Sequence, residues 1–374
     1  MRKSAIVIGA GVVGLAVARA LGIKGYSVKV FERSHKAIGA SVRNFGMVWP
    51  IGQASGKLYQ RALRSRDIWK EIGDEGVFWY GAKGSLHVAH DQDEWTVLQE
   101  LFEIFSKERK VELLTPGQIA SKSEAVVQKN LKGGLFSEEE IIVDPREAIA
   151  ALPECLFEKY SIDFSWGKAV HAISGNTVYV GSTEKYQADI IFVCSGTDLE
   201  TLYPEENEKQ HLVKCKLQMM RLAVQPSGWN IGPAVCGGLS LIHYNSFKSA
   251  SSLMTLQERY ANEMKEYLDW GIHVMVAQNG RGELTIGDSH EYGLTHDPFD
   301  KAFINQLIVD YLKKIAQFKD WSVIESWNGL YTKNKDGEPH IFFSPEPGIY
   351  VLNALGGAGM TLSFGLAEEV TASL

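Results

Sequence analysis

Apolar positions open the chain without alternation: Ala5, Ile6, Val7 and Ile8 follow one another and run into Gly9, Gly11 and Gly14. A strand of that kind is buried on both faces. Downstream, 15–23 carries Leu15, Ala18, Arg19 and Gly22 at helical spacing, and Gly25 supplies a C-terminal stop. Ser27-Val28-Lys29-Val30-Phe31 reads as a second strand, tipped by Glu32. Strand, glycine turn, helix, strand and acid stand in the order of a βαβ nucleotide-binding unit.

Two later segments repeat the passage from a buried strand into small residues. Ile190-Ile191-Phe192-Val193 leads into Cys194-Ser195-Gly196-Thr197. Ile349-Tyr350-Val351-Leu352-Asn353 leads into Gly356-Gly357-Ala358-Gly359-Met360-Thr361 and an amphipathic stretch to the end. Between them, helical patterns occupy 54–72, 94–108, 256–270 and 301–319. Strand patterns occupy 85–89, 218–224, 273–277 and 283–287. The chain is therefore expected to divide into a dinucleotide-binding domain of 1–76, 143–214 and 325–374 and an inserted substrate-binding domain of 77–142 and 215–324. Ligand would lie between the two.

Each fingerprint glycine has a steric reason. Gly9 permits a tight turn, Gly11 lets the backbone approach a pyrophosphate, and Gly14 lets the helix pack closely on the strand. The helix start then offers free N–H groups to the anion. Glu32 lies 21 residues after Gly11, where an acid accepts both ribose hydroxyls and repels a 2′-phosphate. That disfavours NADP and leaves NAD and FAD open.

Composition narrows the class further. The 374 residues are 45% hydrophobic and 22% charged, which excludes a disordered or fibrous chain. Lys+Arg 38 against Asp+Glu 45 gives a net charge of −7, and no basic run appears, so nucleic acid is not an expected partner. Cys155, Cys194, Cys215 and Cys236 form no C-x-x-C pair and no zinc-type cluster, which suits a reduced cytoplasmic protein without a metal. The apolar N-terminus resembles a signal peptide superficially. Its fixed glycines, the internal Arg19 and the lack of a small-residue cleavage site argue instead for a buried strand and helix, and no membrane span is expected.

Taken together, Val7-Ile8-Gly9-Ala10-Gly11-Val12-Val13-Gly14-Leu15, the Phe31-Glu32-Arg33 tip, Val193-Cys194-Ser195-Gly196 and Gly357-Ala358-Gly359-Met360-Thr361-Leu362 resemble the FAD-dependent amine oxidoreductases, the superfamily of glycine oxidase, monomeric sarcosine oxidase and D-amino-acid oxidase. The resemblance covers the whole chain in order. It implies an α/β fold: a Rossmann-like FAD-binding domain with an inserted, discontinuous α+β substrate domain. It also implies FAD, with ADP on the first βαβ unit and the flavin ring near the C-terminal glycine turn. The FAD-contacting positions it implies are Gly9, Gly11, Val12, Val13, Gly14, Glu32 and Arg33; Ser41, Arg43, Asn44 and Gly46 after the second strand; Ala169 and Val170; Cys194, Ser195 and Gly196; Gly329; and Gly357, Ala358, Gly359, Met360 and Thr361.

A narrower likeness is carried by the segment from Gly39 to Pro50, by Gly287-Asp288-Ser289-His290-Glu291-Tyr292-Gly293 and by Pro345-Glu346-Pro347-Gly348. These resemble a subgroup proposed to act on aminoalkylphosphonates or their N-methyl derivatives. Departures from the family bear on the substrate. Where glycine oxidase-like members carry G-L-R-P, this chain has Gly329-Leu330-Tyr331-Thr332, so the arginine that clamps a carboxylate is replaced by Tyr331. A phenol cannot imitate a bidentate guanidinium. Gly329 stands where sarcosine oxidases attach flavin through a cysteine, which implies non-covalent FAD. Thr285 and Thr361 align with two lysines of those enzymes, one of which promotes reaction with oxygen. Oxygen remains the acceptor implied by the family, with that loss counting against it.

The expected substrate residues are Trp49, Tyr244, His290 and Tyr331. His290 ranks first for an anion because its charge could follow a phosphonate near neutral pH. His243 is a further candidate, and Arg281 reads as a solvated turn residue. The implied reaction passes a hydride from the amine's α-carbon to flavin N5, giving an imine that water hydrolyses. No side chain is assigned as a catalytic acid or base, and positioning is the protein's contribution. An amino-acid oxidase of the glycine or sarcosine type, an NAD-linked dehydrogenase and a flavin-fold binding module stay open, as does a homo-oligomer.

Overall fold

A computed structural model describes residues 2–372 and 374. Its organising element is a six-stranded sheet, in the order Ile341–Glu346, Ile349–Asn353, Ile190–Val193, Ser4–Ile8, Ser27–Glu32 and Asp163–Trp166. Every neighbouring pair is parallel except the first. The lack of alternation in Ser4–Ile8 follows from cover on both faces. Ala5 and Val7 pack with the helices Val12–Ile23, Pro145–Tyr160 and Gly359–Thr371. Ile6 and Ile8 pack with a small sheet of Val170–Ser174, Thr177–Val180 and Glu184–Gln187.

The second layer is a nine-stranded mixed sheet with its own core. Its order runs Glu291–Gly293, Leu212–Leu222, Leu284–Gly287, Met275–Gln278, Ala234–Cys236, Ser85–Ala89, Gly133–Ser137, Val111–Leu114, and Val323–Asn334 pairs along Leu212–Leu222. That last pairing corrects the division read from sequence. Residues 325–334 belong to the large sheet, because Val323–Asn334 runs antiparallel along Leu212–Leu222 from Leu222↔Val323 to Leu212↔Asn334. The short strands Met47–Val48, Ile141–Val143 and Tyr80–Gly81 form a further sheet of three.

Two helices end where tertiary contacts overrule periodicity. The pattern at 256–270 breaks into Leu253–Glu263 and Lys265–Asp269, with Met264 out of helical geometry (ψ 25°). The pattern at 301–319 stops at Ile315, because Ala316 turns extended and bridges to Val126. All four cysteines are buried as free thiols. Among the described residues no helix is long and apolar enough to cross a membrane.

His87, on Ser85–Ala89, is fully buried between the rings of Trp49 and Phe247, 5.9 and 5.1 Å away, and neither ring nitrogen has a partner. Burial pushes its imidazole down to about 3. The unfolded chain binds a proton there near pH 6.5 and the folded one refuses it, so this stability is whole above pH 6.5 and drains as pH falls toward 3. Between pH 6.5 and 5 the loss is about 2 kcal/mol. His87→Leu is expected to melt no lower than the parent at pH 7 and to lose less melting temperature on acidification. Parallel melting curves at pH 7 and pH 5 sink the idea if both proteins fall equally.

Candidate active site

Between the two sheets lies a cavity of about 750 Å³, reached by all three glycine-containing turns. At one end Gly9 sits at φ +103°, and a Cβ on it would stand 2.4 Å from the Cys194 carbonyl oxygen. A Cβ on Gly14 would stand 1.9 Å from the Gly9 carbonyl oxygen, so helix and strand touch backbone to backbone. Val12 N–H, at the start of its helix, donates to Ser41 Oγ at 2.9 Å. Glu32 accepts from the N–H groups of Ala10 and Ser34, both at 3.0 Å, which fixes its carboxylate at the strand tip.

The turns are joined through one acceptor. The Gly196 carbonyl takes hydrogen bonds from Thr332 Oγ1 at 2.9 Å and Asn353 Nδ2 at 2.8 Å. Asn353 Oδ1 in turn accepts from Ala354 N–H, and Ala354 is held at φ +60°. Segments 194–197, 329–333 and 353–361 are thereby keyed together around the space where an isoalloxazine would sit. The bare glycine cradles, the helix start and this junction fit FAD.

Most of the expected cofactor positions border the cavity: Gly9, Gly11, Val12, Val13, Glu32, Arg33, Ser41, Arg43, Asn44, Val170, Cys194, Ser195, Gly196, Gly329 and 357–361. Gly14, Gly46 and Ala169 stand outside the lining. Gly14 acts through packing, and Gly46 does likewise, since its Cβ would lie 1.9 Å from the Val143 carbonyl oxygen. The Ala169 carbonyl is taken by Gly181 N–H. Asn44 turns its side chain onto its own loop, donating to Ala40 and Ser41 and accepting from Gly46. Arg33 pairs with Asp198, and Arg43 donates to the Asn328 carbonyl.

Trp49, Tyr244, His290 and Tyr331 line the other part of the cavity. Trp49 is anchored by its N–H to Thr361 Oγ1 at 2.9 Å, while its indole Nε1 is buried without a partner. Tyr244 donates to Met275 Sδ. Burial pushes His290 down, so with no ligand it is neutral at pH 7. Arg281 and Thr285 lie outside the lining. Arg281 pairs with Asp144 and Glu283 at the surface, and Thr285 accepts from Arg221.

Sequence reasoning missed His273, Asp288, Tyr292 and Lys333, all of which border the same space. His273 lies 3.0 Å from Asp288 and stacks on His243 with ring centres 3.7 Å apart. Lys333 was within reach of a period-two argument, being two residues from Tyr331 on one strand and hence on the same face. His273 carried no comparable signal.

A family model described as an FAD dependent oxidoreductase (DAO) matches residues 4–373. The bifunctional tRNA 5-methylaminomethyl-2-thiouridine biosynthesis protein MnmC of Burkholderia ambifaria is 29% identical over 108 residues, which span 27% of this chain and 17% of that protein. Among solved structures, glycine oxidase from Geobacillus kaustophilus superposes with a TM-score of 0.77 at 19% identity, covering 100% of this chain and 94% of that one. L-α-glycerophosphate oxidase from Mycoplasma pneumoniae, with FAD bound, gives 0.76 at 15% identity, covering 99% and 94%.

Proposed function

Since the chain belongs to the DAO family of FAD-dependent oxidoreductases, we propose that it oxidises the C–N bond of a small aminoalkylphosphonate or its N-methyl derivative. FAD, when bound, supplies the acceptor for a hydride from the carbon beside nitrogen. The chain's own residues bind and orient. The glycine cradles and Glu32 hold the nucleotide, the Gly196 junction sets the ring end, and Trp49 and Tyr331 wall the space where the amine would lie. Burial of that space excludes water and favours the uncharged amine whose lone pair the reaction needs.

One observation carries the choice of substrate. Of the two arginines that border the cavity, Arg33 pairs with Asp198 and Arg43 gives one hydrogen bond to the Asn328 carbonyl, while Tyr331 occupies the strand position where the family resemblance puts a carboxylate clamp. At the clamp position an α-amino acid would find a phenol in place of a guanidinium. Anaerobic mixing of the holoenzyme with glycine, sarcosine, D-alanine, 2-aminoethylphosphonate and its N-methyl form is expected to bleach the flavin with a phosphonate and not with the amino acids. The reverse pattern would overturn the reading.

A further inference from the structure

We propose that His243, His273 and His290, with Lys333, form a seat for a tetrahedral XO3 anion, and that the imidazoles take up a proton when it is filled. The proposal rests on the reading of a phosphonate-bearing substrate and names how that head is held. All four residues border the cavity, and the His290 ring lies 6.4 Å from that of Tyr331.

The geometry selects an anion over a metal ion. One nitrogen from each imidazole lies within 4.8 Å of the other two. A tetrahedral zinc would require nitrogens about 3.3 Å apart, with lone pairs aimed at one point. Here the rings stand stacked or moderately tilted: His243 and His273 at 23° with centres 3.7 Å apart, His273 and His290 at 19° and 5.2 Å, His243 and His290 at 38° and 5.0 Å. Stacked rings send their in-plane lone pairs side by side. Three donors each about 2.8 Å from a different oxygen of one XO3 group can stand about 4–5 Å apart.

Hydrogen bonding sets the proton count. His290 Nδ1 is 2.9 Å from the Gly271 carbonyl, which can only accept, so that nitrogen carries the hydrogen and Nε2 presents a lone pair. His273 Nε2 faces Asp288 at 3.0 Å, and its Nδ1 is buried without a partner. With His290 neutral, its Nε2 offers an acceptor, and an anion needs a donor there. Burial, with the neighbouring His273 and Lys333, holds His290 below the usual range while the seat is empty, and the adjacent imidazoles and Lys333 press the solvent-reaching His243 the same way. Asp288, 3.9 Å from His290 Nε2, is the one negative charge already there, and an arriving anion adds a second that raises both imidazoles further.

The other charged or titratable groups facing the cluster are few. Asp288 lies at the end of Leu284–Gly287 and is engaged by His273. Tyr331 and Lys333 come from Val323–Asn334, Cys215 from Leu212–Leu222, Tyr292 and Glu291 from Glu291–Gly293, and Tyr244 from beside His243. Burial pushes the Cys215 thiol up to about 12, and the tyrosines also rise, so both stay neutral at pH 7. Glu291 is tied to Lys301 at 2.8 Å. Lys333, on the same face as Tyr331 and 5.4 Å from the Tyr292 ring, remains as the standing positive charge.

Binding should therefore be tightest below the free imidazole pKa and weaken as pH rises through the bound one. The probes are methanesulfonate, whose charge does not change over this range, and methylphosphonate, each titrated into oxidised holoenzyme and followed by the flavin spectrum. Methanesulfonate is expected to lose up to about tenfold in affinity per pH unit above neutrality. Calorimetry in two buffers of different ionisation enthalpy should find between about half and one proton taken up per ligand. His243→Gln should flatten the pH dependence, and Lys333→Gln should weaken binding about tenfold at every pH while uptake persists. Absence of proton uptake in the parent protein, or stoichiometric Zn²⁺ bound in place of the anion, overturns the proposal. XO3 binding with proton uptake but no amine oxidation leaves the seat standing and removes the substrate reading. Aminophosphonate turnover without proton uptake does the opposite.

Discussion

Gly14→Ala is expected to emerge from purification with flavin content at least tenfold below the parent. The added Cβ would stand 1.9 Å from the Gly9 carbonyl oxygen and 3.0 Å from the Gly9 carbonyl carbon. Both are backbone atoms, so no rotamer change relieves the clash, and the helix Val12–Ile23 must lift off the strand. Overpacking of that kind costs about 1–3 kcal/mol in ordinary cores, and more where only backbone can yield. The same movement carries the helix start away from the pyrophosphate it is to hold. An increase in the FAD dissociation constant of about 100-fold corresponds to about 2.7 kcal/mol of lost binding. Gly117→Ala, outside the cavity lining, is the control: nothing lies within 4 Å of its added Cβ, and flavin content should stay near the parent's. A Gly14→Ala protein carrying full flavin with an unshifted melting temperature would refute the close-packing argument.

Tyr331→Arg is expected to make glycine a substrate. Tyr331 borders the cavity beside Gly357, with its hydroxyl 3.8 Å from where that residue's Cβ would be. An arginine there would bring a guanidinium to the clamp position. A bidentate, charge-assisted pair with a carboxylate contributes about 3 kcal/mol, or roughly 150-fold in kcat/KM for glycine, with KM carrying most of the change. Tyr331→Phe keeps the wall without the charge and should gain nothing on glycine. If the arginine variant retains flavin and stability yet handles glycine no better than the parent, Tyr331 does not exclude amino acids.

The cofactor half of the molecule was readable because its rules are local. Non-alternating Ala5–Ile8, glycines at 9, 11 and 14, and an acid 21 residues beyond Gly11 record steric demands that neighbours along the chain impose on each other. Boundaries failed where distant partners intervened, as when Ala316 left its helical pattern to pair with Val126. Alternation along 323–334 distinguishes one face from the other, but it carries no statement of which strand lies alongside, so the pairing of 325–334 with Leu212–Leu222 was not legible in the sequence.

The recognition end followed the same division. Tyr331 stood out as a departure from a motif, and His290 as an isolated imidazole beside a strand. Their significance changed when folding set His243, His273, Asp288 and Lys333 around them, from segments up to 90 residues apart in the chain. Linear order thus prescribed a nucleotide-binding βαβ unit and its glycine turns, because strand, turn, helix and acid all stand within the first 32 residues. Which imidazoles share a cavity, and whether burial leaves them neutral, was decided only by the packing of two sheets, because desolvation and charge proximity depend on distance through space.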